Sequence, residues 1–378
     1  MISAAGFCTA LDRIGVRLVS GVPCSYFAGP LRLLESRPGR YVPAANEGAA
    51  LAIAAGAELA GNRAAVIIQN SGFGNLVNPL TSLLLTFDIP VLVFMSLRGW
   101  PDPARDEPQH AVMGRTTHDL LDALRVPHQV LKPDEDHLAE ALTAADEARA
   151  DGRPAFVLVP KDTIEPPPAA AAAPAPFGRR EALSAVLPHL DRALVFTTTG
   201  YVSRELFGLC DRAETFYMQG SMGHALALGL GTALSRRDRQ VLVIDGDGAV
   251  LMHTGTCLTA GALAPPNLVH LILDNGAYES TGSQCTTSST MDWCALGVAA
   301  GYRSTVVCAS APASRAWRAA RAPAPEPTRT RPWTGTRPPR PTPTSPQWTM
   351  WCTGCRSTRT RRCRGPGARG WAGRARRP

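Results

Sequence analysis

Short apolar runs alternate with longer stretches of helical periodicity along the first 300 or so residues. In the first half the runs are Ala64-Ala65-Val66-Ile67-Ile68, Pro90-Val91-Leu92-Val93-Phe94 and Ala155-Phe156-Val157-Leu158-Val159. Unbroken runs of this length suit strands buried on both faces of a parallel sheet. Residues 48–60, 78–85 and 120–124 carry helical patterns between them. In the second half, Ala193-Leu194-Val195-Phe196, Val241-Leu242-Val243-Ile244 and residues 268–273 read as strands, and the Ala/Gly/Leu-rich stretch 221–235 reads as a helix. The alternation predicts α/β architecture in both halves, with parallel sheets flanked by helices.

Residues 160–174 contain Pro166-Pro167-Pro168 and a run of alanines. That composition predicts a semi-rigid linker. The organisation expected is one α/β domain over 1–165, a Pro/Ala linker over 166–180 and a second α/β domain over 181–304. The 378 residues suffice for two cores. No run of eighteen apolar residues occurs, so no membrane span is expected. The N-terminus lacks a basic region, so a secretory signal is not expected and a cytoplasmic location is. The ten cysteines then read as reduced thiols.

Charge changes the picture at one end. Residues 305–378 hold 16 arginines, one acid (Glu326) and no lysine, whereas residues 1–304 carry a net charge of −7. The same segment contains 12 prolines and no Leu, Ile, Phe or Tyr. A chain so poor in aliphatic side chains cannot build a core, so a disordered tail is expected. Its Arg/Pro/Trp/Thr/Ala/Gly mixture is what a GC-rich gene yields when translated out of frame, and the segment is read so. The rival reading is an Arg-rich nucleic-acid arm.

Candidate chemistry sits in the acidic body. The strand 241–244 runs into Asp245-Gly246-Asp247-Gly248-Ala249, and the strand 268–273 ends in Asp274-Asn275-Gly276-Ala277-Tyr278. Strand ends deliver Asp247 and Asn275 to one carboxyl edge, where ligands of parallel sheets bind. A carboxylate and an amide oxygen suit Mg²⁺ shared with phosphate oxygens and water. Gly246 and Gly248 let backbone amides approach an anion. Gln219-Gly220-Ser221-Met222-Gly223-His224 is a glycine-rich turn ahead of a helix, and Glu47 opens another helix, where an acid complements the helix dipole.

Together these stretches resemble the thiamine diphosphate enzymes, whose motif runs from Gly-Asp-Gly to a closing Asn-Asn; here Asp274 stands for the first Asn. The resemblance implies a pyrimidine-binding first domain and a diphosphate-binding second domain. It implies Asp247, the Asn275 side chain and the Ala277 carbonyl as Mg²⁺ ligands. It implies Thr199-Gly200 and Gly246, Gly248 and Ala249 at the diphosphate. Gly220 would accept from the aminopyrimidine, and Met222 would wedge between the cofactor rings. Glu47 would be the essential carboxyl, and Asn70 and Gly72 would line the cofactor.

The body has no room for the central third domain of most such enzymes. It resembles the short two-domain members that decarboxylate phosphonopyruvate or sulfopyruvate. The resemblance is carried by Gly21-Val22-Pro23-Cys24-Ser25-Tyr26-Phe27, Asp106-Glu107-Pro108-Gln109-His110, Thr198-Thr199-Gly200 and Ser203-Arg204-Glu205-Leu206-Phe207. It implies decarboxylation of phosphonopyruvate to phosphonoacetaldehyde in antibiotic phosphonate synthesis, by a homo-oligomer with active sites between subunits. Ser25, Arg98, Gln109 and His110 are the candidates for the substrate, with Arg115 and His118 behind them. His110 would also handle protons. The alternatives are a sulfopyruvate decarboxylase, or an inactive remnant or nucleic-acid binder acting through the basic tail. Neither nucleic acid nor membrane is the expected partner.

Overall fold

The protein is described by a computed structural model over residues 1–168 and 178–308, with the backbone of Gln347–Thr353. Six strands form the first sheet: β1 (Leu18–Gly21), β2 (Tyr41–Pro43), β3 (Ala64–Gln69), β4 (Leu92–Ser96), β5 (His128–Val130) and β6 (Ala155–Val159). They lie in the order β2-β1-β3-β4-β6-β5, and every pairing is parallel. The apolar runs follow from this geometry. In β3, Ala65 and Ile67 enter one core cluster while Ala64, Val66 and Ile68 enter the other. In β4, Leu92 and Phe94 divide from Val93 and Met95 in the same way. Alternate side chains point to opposite faces, so a strand covered by helices on both sides must be apolar at every position.

The second sheet contains β7 (Leu194–Thr197), β8 (Thr215–Tyr217), β9 (Val241–Gly246) and β10 (Leu268–Asp274). A small hairpin of β11 (Ala277–Tyr278) and β12 (Gln284–Cys285) follows β10. Two more strands, β13 (Ser304–Cys308) and β14 (Gln347–Thr353), complete the order β13-β14-β10-β9-β7-β8. β14 runs antiparallel to both neighbours, pairing with β10 from Leu268↔Thr353 to Asp274↔Gln347.

β13 and β14 fall inside the segment whose composition predicts no regular structure, and β14 makes the second sheet mixed rather than wholly parallel. Gln347-Trp348-Thr349-Met350-Trp351-Cys352-Thr353 is free of Pro, Gly and Arg and rich in strand-favouring residues, a local exception that whole-segment composition hides. The rest of the Arg/Pro-rich tail, 309–346 and 354–378, and residues 169–177 of the linker lie outside the described residues.

Helix positions shift where turn chemistry intervenes. The helix expected over 221–235 begins at Ala225, because Ser221 (φ 50°) and Gly223 (φ 89°) take left-handed conformations in the turn before it. The stretch expected as helix over 78–85 is an α-helix, Phe73–Pro79, running into a π-helical turn, Leu80–Leu84. The helix glimpsed at 120–124 runs over Ala111–Ala123.

Each sheet has one point where the strand order reverses. In the first it falls between β1 and β3, so the segments after Gly21 and Gln69 diverge there. In the second it falls between β7 and β9, where Thr198-Thr199-Gly200 and Asp247-Gly248-Ala249 diverge. Such reversals open the crevice in which open α/β sheets bind ligands.

Candidate active site

A cleft of about 420 Å³ opens at the reversal point of the second sheet. Thr198, Thr199 and Gly200 line it from the end of β7, Gly246–Ala249 from β9, Asp274, Asn275 and Ala277–Glu279 from the end of β10 through β11, and Met222 from the turn before helix Ala225–Ser235. Gly200 takes φ 86°, a conformation that would strain any side-chain-bearing residue there. Beside it the Thr198 hydroxyl is buried without a hydrogen-bond partner, a free donor in the wall of the cleft. Thr199 is committed elsewhere, donating to the Gln219 carbonyl at 2.5 Å and so tying β7 to the glycine-rich turn.

Asp247 is buried at the head of helix Asp247–Met252. Burial, reinforced by the nearby Asp274 carboxylate, pushes its pKa up to about 6, against the hydrogen bonds from Thr286 and Gly248. Asp274 accepts from Gly276 N (3.0 Å), Ser288 Oγ (2.8 Å) and Trp293 Nε1 (2.7 Å). Asn275 is exposed in the turn; its amide donates to Glu279 and its Oδ1 accepts from Ala277 N. The Asp247 carboxylate, an amide oxygen and a backbone carbonyl form a hard-oxygen donor set, with the Asp274 carboxylate adding negative charge beside it, which fits a divalent cation such as Mg²⁺. The unpaired Thr198 hydroxyl and the glycine-bared amides of the cleft fit a diphosphate.

Glu47 begins helix Glu47–Leu59, whose N-cap Asn46 accepts from Ala49 N at 2.9 Å. Its carboxyl turns inward and is 5% exposed. Burial raises its pKa above the ordinary range, although Asn75 donates to Oε2 at 2.7 Å. Gly72 makes the room: a Cβ there would lie 2.1 Å from Glu47 Oε1. Asn75 carries no motif of its own in the sequence; its sole signal is a polar residue one turn after Gly72. The two domains meet here. Asn46 Nδ2 donates to the Met252 carbonyl at 3.4 Å, and burial together with the charges of Asp247 and Glu47 pushes the Tyr278 pKa up to about 12. The Tyr278 ring lies against Gly248, where a Cβ would come within 2.4 Å of it.

The substrate candidates divide. Arg98 and His110 converge on Asp106. Arg98 gives it two bonds (2.7 and 2.6 Å), His110 Nδ1 lies 3.0 Å away, and the amides of Gly99 and Glu107 each donate at 2.8 Å. Burial alone would raise the Asp106 pKa; these donors outweigh it and hold the carboxyl well below its usual range. The Arg98 guanidinium also lies 5.0 Å from the Tyr26 ring centre. His110 Nε2 faces Gln69 Nε2 at 3.3 Å, and Gln69 Oε1 accepts from the Cys24 thiol. With Gln69 Nε2 donating to His110 Nε2, the ring tautomer that fits both contacts carries its proton on Nδ1, toward Asp106.

Asn70 is buried and spends its amide on the Arg98 backbone and Thr117 Oγ1. Gln109 comes from the first domain to Gly220 of the second, where a Cβ would lie 3.3 Å from Gln109 Cβ. Glu107, which accepts from Gln109, is paired with Arg204 of the second domain. Ser25 and Arg115 are exposed, and His118 stacks near Trp100 and His128 instead of joining the Asp106 group.

Residues 2–111 match the thiamine pyrophosphate enzyme N-terminal TPP binding domain, and residues 205–316 match the thiamine pyrophosphate enzyme C-terminal TPP binding domain. The chain is 43% identical to a phosphonopyruvate decarboxylase of Streptomyces viridochromogenes, over 82% of this chain and 83% of that protein. It is likewise 43% identical to a phosphonopyruvate decarboxylase of Streptomyces hygroscopicus, over 82% of each. A sulfopyruvate decarboxylase of Methanosarcina acetivorans is 30% identical over 73% of this chain and 76% of its own length.

Proposed function

Because the chain belongs to the thiamine pyrophosphate enzymes, in the family that holds the phosphonopyruvate decarboxylases, we propose that it decarboxylates phosphonopyruvate to phosphonoacetaldehyde and CO₂. The likeness to two phosphonopyruvate decarboxylases across most of both chains carries this reading. The weaker likeness to a sulfopyruvate decarboxylase makes the sulfonate the second candidate substrate. A place in phosphonate natural-product synthesis accords with the Streptomyces relatives.

Thiamine diphosphate, bound with Mg²⁺, would supply the electron sink for loss of CO₂. The chain's own residues do the rest. Asp247, Asn275 Oδ1 and the Ala277 carbonyl hold the cation. The Thr198 hydroxyl and the amides beside Gly200 and Gly248 take the diphosphate. Glu47, desolvated and raised in pKa, keeps or shares a proton with a basic ring nitrogen instead of standing as a solvated carboxylate. His110, held on Nδ1 by Asp106, would offer Nε2 for proton transfer in the reaction. Gln109 reaches the Gly220–Met222 turn, so the first domain would contribute a polar side chain to the aminopyrimidine pocket. Arg98 is committed to Asp106 and serves the substrate anion through that assembly, with Ser25, the exposed hydroxyl next to the Tyr26 that Arg98 lies over, as a further candidate.

Helices Gly255–Leu263 and Trp293–Ala300 pack together and leave Leu258, Leu263 and Val298 exposed. Helices this apolar on their outer side are normally covered, which supports a homo-oligomer. Offering phosphonopyruvate, sulfopyruvate and pyruvate side by side, with thiamine diphosphate and Mg²⁺, tests the assignment. Preferential aldehyde release from phosphonopyruvate supports it; preference for sulfopyruvate replaces the substrate while keeping the chemistry.

A further inference from the structure

We propose that Thr286 and Ser288 are positioning residues of the divalent-metal site, their buried hydroxyls fixing the carboxylates of Asp247 and Asp274 so that Asp247 meets the cation. The proposal rests on the reading of Asp247 and Asn275 as metal ligands. Both hydroxyls follow the β11–β12 hairpin. Thr286 is 6% exposed and Ser288 3%. Thr286 Oγ1 donates to Asp247 Oδ2 at 2.5 Å, and Ser288 Oγ donates to Asp274 Oδ1 at 2.8 Å. The two oxygens lie 2.9 Å apart, and Ser288 N also donates to Thr286 Oγ1 at 3.3 Å. Thr286 N donates to the Gly276 carbonyl at 2.9 Å, which ties the hydroxyl pair to the turn carrying Asn275 and Ala277.

Each hydroxyl has one proton, and both protons are spent on carboxylates. The consequences differ for the two acids. Asp274 accepts three hydrogen bonds, the third from Trp293, and is left with little capacity for a cation. Asp247 has its rotation set through one oxygen by Thr286. Neutral hydroxyls achieve this without cancelling charge; a lysine or arginine in their place would neutralise the site and compete with the cation. Partners of this kind orient a ligating carboxylate and are worth roughly 10–100-fold in metal affinity.

The experiment titrates Mg²⁺ calorimetrically into the full chain with thiamine diphosphate present, and follows thermal unfolding of each variant without metal. Thr286→Val keeps the shape and removes the hydroxyl, and is expected to weaken Mg²⁺ binding roughly 10–100-fold. Thr286→Ser restores the donor and should recover most of that loss. Ser288→Ala tests the second hydroxyl independently and carries the test if Thr286→Val unfolds; it too should weaken binding. Wild-type Mg²⁺ affinity in Thr286→Val and Ser288→Ala, with Asp247→Asn abolishing binding, overturns this proposal alone. Absence of Mg²⁺ uptake by the unaltered chain overturns the metal reading beneath it.

Discussion

Gly72 and Glu47 occupy one space: a Cβ on residue 72 would stand 2.1 Å from Oε1 and 2.2 Å from Cδ of the glutamate. The carboxyl cannot withdraw freely, because Asn75 holds its other oxygen and the Asn46 cap fixes the start of its helix. Gly72→Ala must therefore push the carboxyl aside. Overpacking of this kind costs about 1–3 kcal/mol. The expected result is a modest fall in thermal midpoint with a much larger fall in kcat than in cofactor affinity. Steady-state kinetics beside thermal unfolding check it; an alanine variant with unchanged kcat would contradict the packing account.

Asp247 predicts a pH signature. Burial and Asp274 lift its pKa from 3.8 to about 6. The carboxyl costs nothing below 3.8, where it is protonated both folded and unfolded. As pH rises through the folded value of about 6, the folded state must ionise a buried group, and stability falls. Denaturant melts of the metal-free protein from pH 4 to 7 should show wild type losing stability relative to Asp247→Asn over this window. Mg²⁺ should abolish the difference by compensating the ionised form. Parallel pH profiles for the two proteins would mean that Asp247 is not desolvated.

Asp106 has the opposite sign. Its donors overcome burial and hold its pKa below the ordinary value, so its stabilisation is present above 3.8 and is lost as pH falls through the lower folded value. Asp106→Ala leaves Arg98 and His110 without their shared acceptor. Removing one partner of this partly buried pair should cost more than the roughly 0–1 kcal/mol of a surface pair and up to about 3 kcal/mol. Equilibrium unfolding at neutral pH measures it. A loss below about 0.5 kcal/mol, the scale of a surface change, would mean the cluster is a solvated surface pair.

The legible parts of this protein were those written in adjacent residues. The runs of β3, β4, β6, β9 and β10 announce two-sided strands because every position is buried. Three-residue strands such as His128–Val130 and Thr215–Tyr217 carry too few positions to form a pattern, and only their neighbours in the sheet define them. Asp247, Asn275 and Glu47 were legible because glycine-rich or capped turns at strand ends surround them. Asn75, Thr286 and Ser288 were not, since they reach Glu47, Asp247 and Asp274 across 28, 39 and 14 residues of chain. Arg98 reads as a cation awaiting an anion, yet the fold supplies one from eight residues downstream, at Asp106. The Arg/Pro-rich composition concealed β14, whose seven residues are an exception too short to shift the average.

The most direct test of the whole account is CO₂ release from phosphonopyruvate by the wild-type chain and by Glu47→Gln, both saturated with thiamine diphosphate and Mg²⁺. A buried carboxyl that shares a proton with the cofactor predicts steady turnover by the wild type and a kcat roughly 10²- to 10⁴-fold lower in the variant, with cofactor still bound. Equal kcat in the two proteins would contradict the role assigned to Glu47, and no turnover by the wild type would contradict the activity itself.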